Sequence, residues 1–210
     1  MIETELPRIT RWSDLDGIAL TPAEETLIAA AKAGDVAVIG TTVPTTKTKD
    51  VLIRARLLRY LILGGCDDCR TETAGVQVQG AWIADTLDLN FAKAAGPIRL
   101  YNCHIAEQPQ LQQLQVPLLN LSGSTLPNGL YAQGAQIGGD VFLRGVMAMG
   151  EVRLNGATIT GQLDCEGATL ENKGGDALIA HSAQIAGGLF LRGVTAKGKV
   201  NLSGTTIAGQ

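Results

Sequence analysis

Residues 141–170 read VFLRGVMAMGEVRLNGATITGQLDCEGATL. Glycines stand at 145, 150, 156, 161 and 167, stepping by five and six in turn, and the apolar residues keep the same uneven beat. Divided on that beat, the stretch becomes VFLRG VMAMG E, VRLNG ATITG Q and LDCEG ATLEN K: two five-residue words and one spacer, a period of eleven. Within each word the first and third residues are apolar or small, while the second and fourth are polar or variable. This is the alternation of a short strand with one buried face. The fifth residue is usually Gly or Asn, which tolerate the backbone of a tight corner.

The frame runs in both directions. Units begin at 76, 87, 98, 109, 119, 130, 141, 152, 163, 178, 189 and 200, twelve in all. The unit at Pro109, PQLQQ LQVPL, lacks its spacer, and four extra residues around Lys173, Gly174, Gly175 and Asp176 precede the unit at Leu178. If this insertion is a loop, the words on either side of it still stack. Internal repetition of this kind signals a solenoid, in which each repeat buries its inner face only against its neighbours.

The words ATITG (157–161) and ATLEN (168–172) resemble pentapeptide repeats. That resemblance implies a mainly β fold, a right-handed four-sided parallel β-helix with the first and third residues of each word inside. With a spacer after every second word, one turn takes 22 residues and the twelve units make about six coils, a rod of roughly 29 Å at about 4.8 Å per coil. The eleven-residue beat also resembles a specific uncharacterised bacterial group sometimes labelled membrane-associated oxidoreductases. No cofactor motif supports that label: there is no G-x-G-x-x-G between strand and helix, no P-loop and no nucleophile elbow. No cofactor is therefore expected.

Composition bounds the function. A net charge of -3 over 210 residues gives no basic footprint for a phosphate backbone or an anionic membrane, so direct nucleic-acid binding is disfavoured. No window approaches the length of uncharged apolar sequence that a membrane span needs, and the opening MIETELP lacks the cationic start of a signal peptide. These features read as a cytoplasmic protein. Four cysteines are too few for a disulfide scaffold.

Residues 1–75 are expected to be a helical capping segment and residues 76–210 the solenoid. Thr21, Pro22 and Glu24 form a capping box with proline at the first helical position, which predicts a helix to about Lys32 before Gly34. A second helix is predicted over 51–63, ending at Gly64 and Gly65 and lying across the first coil to hide its strand edge. At the other end Gln210 falls on a spacer position, with no capping element before it. Either the rod continues in a longer chain, or another molecule covers the open end, which invites self-association.

Few residues suggest chemistry. Cys66 and Cys69, in CDDC, follow a helix C-terminus and enclose two carboxylates, both unfavourable to a reactive thiolate. They are the weak redox or metal candidates, and an exposed turn is the expected structure, with a disulfide formed on oxidation as the alternative. No second such pair exists to complete a zinc site. Cys103 and Cys165 fall on inward positions, as core residues. His104 and His181 fall on outward positions and read as solvated. No catalytic or metal residue is assigned.

The outer faces are more informative. Words two units apart should stack, aligning Arg144, Glu166 and Arg192 at the fourth position and Phe142, Asp164 and Phe190 at the second. The expectation is a ladder of alternating charge beside two exposed aromatics. Exposed Phe flanked by Arg is interface chemistry, so these six residues are the candidate partner-binding set, for an unknown protein partner. The chain accordingly reads as a non-catalytic interaction or scaffold module. One alternative comes from pentapeptide-repeat proteins that resemble duplex DNA and inhibit DNA-processing enzymes. It needs an acidic exterior, but from residue 76 on nine acids face eight bases. The other alternative, an enzyme, rests on the oxidoreductase label and the two cysteines.

Overall fold

The computed structural model of the chain describes residues 9–71 and 73–209. Residues 1–8, which include the start read for a signal, and Gln210 lie outside the described residues.

The chain folds as a parallel β-solenoid of about six coils with two helices at its N-terminal end. Strand pairings follow the sequence frame. Leu119 stands beside Val141, and Val141 beside Leu163, each 22 residues further on. Ile98 pairs with Leu119 after only 21 residues, because the unit between them lacks a spacer. Leu163 pairs with Leu189 after 26, because four residues are inserted between them. Every one of these pairings is parallel and lies in a single seven-stranded sheet, one of three sheets among the described residues.

The insertion is not a loop. Residues Thr169–Ile179 form one continuous strand, paired with Thr195–Asn201 through two register shifts near Glu171 and Asp176. The extra residues widen the coil locally instead of leaving it. The long strand also joins two ladders, one through Met147 and Thr169 and the other through Val152 and Leu178, into the largest sheet.

Inside, the first and third positions of successive words stack into an aliphatic core. Val141, Leu143, Val146 and Ala148 are fully buried in one coil, as are Val152, Leu154 and Ala157 in the next word pair. Cys103 and Cys165 are fully buried among them, and burial pushes both thiols up to about 12, so they stay protonated and pack as small apolar groups. Two kinds of glycine shape the corners. Gly145 takes φ 60, the left-handed turn that closes the first word. Gly161 keeps an ordinary φ but lies so close to the preceding coil that a Cβ there would stand 2.1 Å from the Asp140 Oδ1 and 2.8 Å from the Gly139 carbonyl carbon.

Helix α1, Pro22–Ala33, begins at the predicted capping box: the Thr21 hydroxyl accepts from the Glu24 N–H and the Glu24 carboxylate accepts from the Thr21 N–H. The second predicted helix is shorter than expected. Leu52–Arg54 is a strand beside Trp82–Ala84, and helix α2 covers only Ala55–Ile62. A run as short as Leu-Ile-Arg carries no period that separates strand from helix, and here the unpaired edge of the first coil captures it. Ala37–Val38 pairs with Val78 and Gln79 in the same way. The N-terminal segment thus supplies two strands that complete the first coil as well as helices that pack on it. At the last coil the inward residues Val200 and Ile207 are 43% and 42% exposed.

Candidate functional site

Phe142, Asp164 and Phe190 occupy one column, in neighbouring strands of the same sheet, as the stacking frame predicts. Their exposure differs from expectation. Both phenylalanines are half-buried, and Asp164 is only 1% exposed. The cause is local. Arg144, two residues after Phe142, folds over the column: its Nε donates to the Asp164 Oδ2 at 2.5 Å, and its guanidinium lies 5.5 Å from the Phe142 ring centroid. The other Asp164 oxygen accepts from the Glu166 N–H at 3.0 Å. A carboxylate between two aromatic rings is tolerable only when its lone pairs are filled this way. The bond to Asp164 in turn raises the Arg144 pKa.

The alternating charge therefore resolves into two unequal pairs. Arg144 and Asp164 form a tight, half-covered pair, whereas Arg192 and Glu166 stand 3.5 Å apart with the arginine side chain 89% exposed. Arg192 and the outer edge of Arg144 are what this column offers to a partner.

Sequence reasoning overlooked the next face. Met147 and Met149, 47% and 52% exposed, follow Phe142 and Arg144 around the Gly145 corner within the same coil. They occupy the second and fourth positions of VMAMG, so the frame that turned Phe142 outward could have found them. Arg, Met and aromatic side chains on one corner are the residue types enriched in interface cores, and unbranched methionine adapts to irregular partners.

Cys66 and Cys69 do not form an exposed turn. They are joined by a disulfide, and both are buried in the cluster that packs the two helices on the first coil. The segment is pinned where Arg70 N–H donates to the Ala31 carbonyl of α1 and the Tyr60 hydroxyl meets the Gly65 carbonyl. Among the described residues, no group of His, Cys, Asp and Glu is placed to hold a metal ion. His181 is exposed and bonded to Ser203 and Ser182, as a solvated histidine should be. His104 is half-buried: its ring stacks on Trp82 at 3.8 Å, and partial desolvation lowers its pKa.

Among the described residues, concavities flank the rod. A shallow groove of about 670 Å³ runs along the sheet that carries Gln115, Gln136 and Thr158. A deeper cleft of about 730 Å³ separates α2 from the first coils. No helix among the described residues is long and apolar enough to cross a membrane. Compared with protein-family models, with curated proteins and with solved structures, the chain finds no match.

Proposed function

We infer that the chain is a non-catalytic interaction module whose partner is a protein and whose binding surface is the corner formed by Phe142, Arg144, Met147 and Met149, continued along the column by Arg192. The observation that carries this reading is the pair of half-exposed methionines around one corner from a fixed guanidinium on a phenylalanine ring. A rigid solenoid presents such a corner at little ordering cost, because the backbone beneath it is already paired on both sides. Support for a four-sided coil lies in the four words that each 22-residue turn contains, and the right-handed winding is the part that the pentapeptide-repeat resemblance implies.

The test compares proteins that copurify from the native host with the wild-type chain, with Met149→Glu plus Arg192→Glu, and with Gln184→Glu on another sheet. These positions are exposed, so the fold should survive each change. A partner lost from the first variant and kept by the second supports the reading. Retention by both, or equal loss from both, contradicts it. Phe142→Asp and Phe190→Asp are poorer probes, since each would set a second carboxylate against the buried Asp164.

Mimicry of duplex DNA finds less support, because Arg144 and Arg192 share a face with Asp164 and Glu166.

A further inference from the structure

On one face of the rod the repeat sets an imidazole between two hydroxyls. His181 and Ser203 are the fourth residues of words in adjacent coils, and Ser182 closes the word that holds His181. The backbone beneath them is tied. Ile179 pairs with Asn201, the Ala180 N–H donates to the Asn201 carbonyl, and the Ser182 N–H donates to the Ser203 carbonyl, both at 2.9 Å. His181, Ser182 and Ser203 are all exposed.

The hydrogen bonds around the ring fix where its protons stand. The Asn201 Oδ1 accepts from the Ser203 N–H at 3.1 Å, and since an N–H can only donate, this atom is the amide oxygen. The Ser203 hydroxyl lies 2.6 Å from the same oxygen and directs its one proton there. Toward the His181 Nδ1, 3.0 Å away, the Ser203 Oγ therefore has only lone pairs to offer, so Nδ1 carries the ring proton. In the neutral ring Nε2 is then bare, and the Ser182 hydroxyl donates to it at 3.1 Å. An imidazole free in water favours the opposite tautomer. Here Ser203 and Asn201 impose the order.

A hydroxyl bonded to a bare imidazole nitrogen, with a third group holding the other nitrogen, is the arrangement that activates a serine as a nucleophile. We propose that Ser182 is an acylation site for activated carboxylic esters, with His181 as its base and with Ser203 and Asn201 as positioning residues. The Ser182 Oγ attacks the ester carbonyl carbon while the His181 Nε2 takes the hydroxyl proton. The bond from that carbon to the leaving oxygen then breaks, and the leaving group departs with the proton from Nε2. The product is an ester on Ser182 beside a neutral His181. One acyl group is added to each chain and no turnover is needed, so the site is independent of the corner surface and of any partner.

Treatment of the full chain with para-nitrophenyl acetate, followed by acid quenching and peptide mass spectrometry, tests the proposal. Ser13, an exposed serine of the N-terminal segment, is the internal reference. The expected result is acetylation of Ser182 well ahead of Ser13, slowed about a hundredfold in His181→Gln. Nitrogen NMR of the neutral His181 ring should place the proton on Nδ1 in the wild-type chain and move it toward Nε2 in Ser203→Ala, a change that the loss of a merely structural contact would not produce. Acetylation of Ser182 no faster than that of Ser13 would overturn the proposal. So would a rate unchanged in His181→Gln, or a wild-type ring that carries its proton on Nε2.

Discussion

Arg144 closes over Asp164, one coil further along the rod, with its Nε 2.5 Å from a carboxylate that is otherwise sealed between Phe142 and Phe190. Arg192 reaches toward Glu166 in the same register but stays in water. Exposed pairs contribute little, whereas removing the partner of a buried charge leaves that charge unsatisfied. Thermal unfolding should therefore separate two substitutions that look alike in sequence. Arg144→Met should lower the melting temperature clearly, and Arg192→Met should leave it nearly unchanged. Adding Asp164→Leu to Arg144→Met should recover part of the loss. Equal effects of the two arginine substitutions would contradict the pairing.

The capping glutamate does two jobs. Glu24 closes the first turn of α1, and its carboxylate also accepts from the Arg54 main-chain N–H at 3.0 Å and from its guanidinium at 2.5 and 2.8 Å, with both side chains buried. The helix is thereby locked to the strand that completes the first coil. Breaking a buried pair by removing one partner costs about 3–5 kcal/mol. Glu24→Ala should lose stability on that scale in urea unfolding, well beyond the loss of about 1 kcal/mol that an ordinary helix cap would show.

Glycines 145 and 161 look equivalent in the repeat but should respond differently to substitution. A Cβ at Gly145 meets nothing within 4 Å, so Gly145→Ala loses only what its left-handed backbone costs an L-residue, about 1–2 kcal/mol. A Cβ at Gly161 collides with the Asp140 carboxylate, whose Oδ1 holds the Gln162 N–H at 2.9 Å, and with the backbone of the coil beneath. Gly161→Ala should be the more damaging of the two in denaturant midpoints.

His104 gives the chain a pH dependence of known sign. Desolvation beside Trp82 holds its folded pKa below the ordinary 6.5, so the folded state resists protonation. Above about 6.5 the ring is neutral in both states and contributes nothing. As pH falls below that value the unfolded chain takes up the proton first, and stability declines until the folded pKa is reached. The stability lost between pH 7 and pH 5 should be smaller in His104→Gln than in wild type.

Much of this architecture is legible in the repeat text. Strand positions, inward residues, the 22-residue turn and the stacking of Phe142 on Asp164 all follow from a two-residue alternation broken at fixed corners. The α1 capping box is equally local. What the text could not supply depends on tertiary competition. Residues 52–54 have no period to distinguish them, and the open edge of the first coil draws them into a strand. Asp164 occupies an outward position, yet a neighbouring arginine buries it. Cys66 and Cys69 look like surface punctuation until α1 and α2 pack over them. Met147 and Met149 were visible in the frame, but scattered apolar residues at outward positions carry little weight until their exposure and their nearness to Arg144 are known.

If the corner of Phe142, Arg144, Met147 and Met149 meets a protein partner, that partner lies within crosslinking reach of it. Site-specific photo-crosslinking in the native host can detect this contact, with a benzophenone side chain placed at Met149 in one chain and at Gln184 in another. The expected result is a discrete covalent adduct from position 149 that is absent from position 184. Adducts of the same mass from both positions, or none from position 149 while position 184 captures a partner, would contradict it.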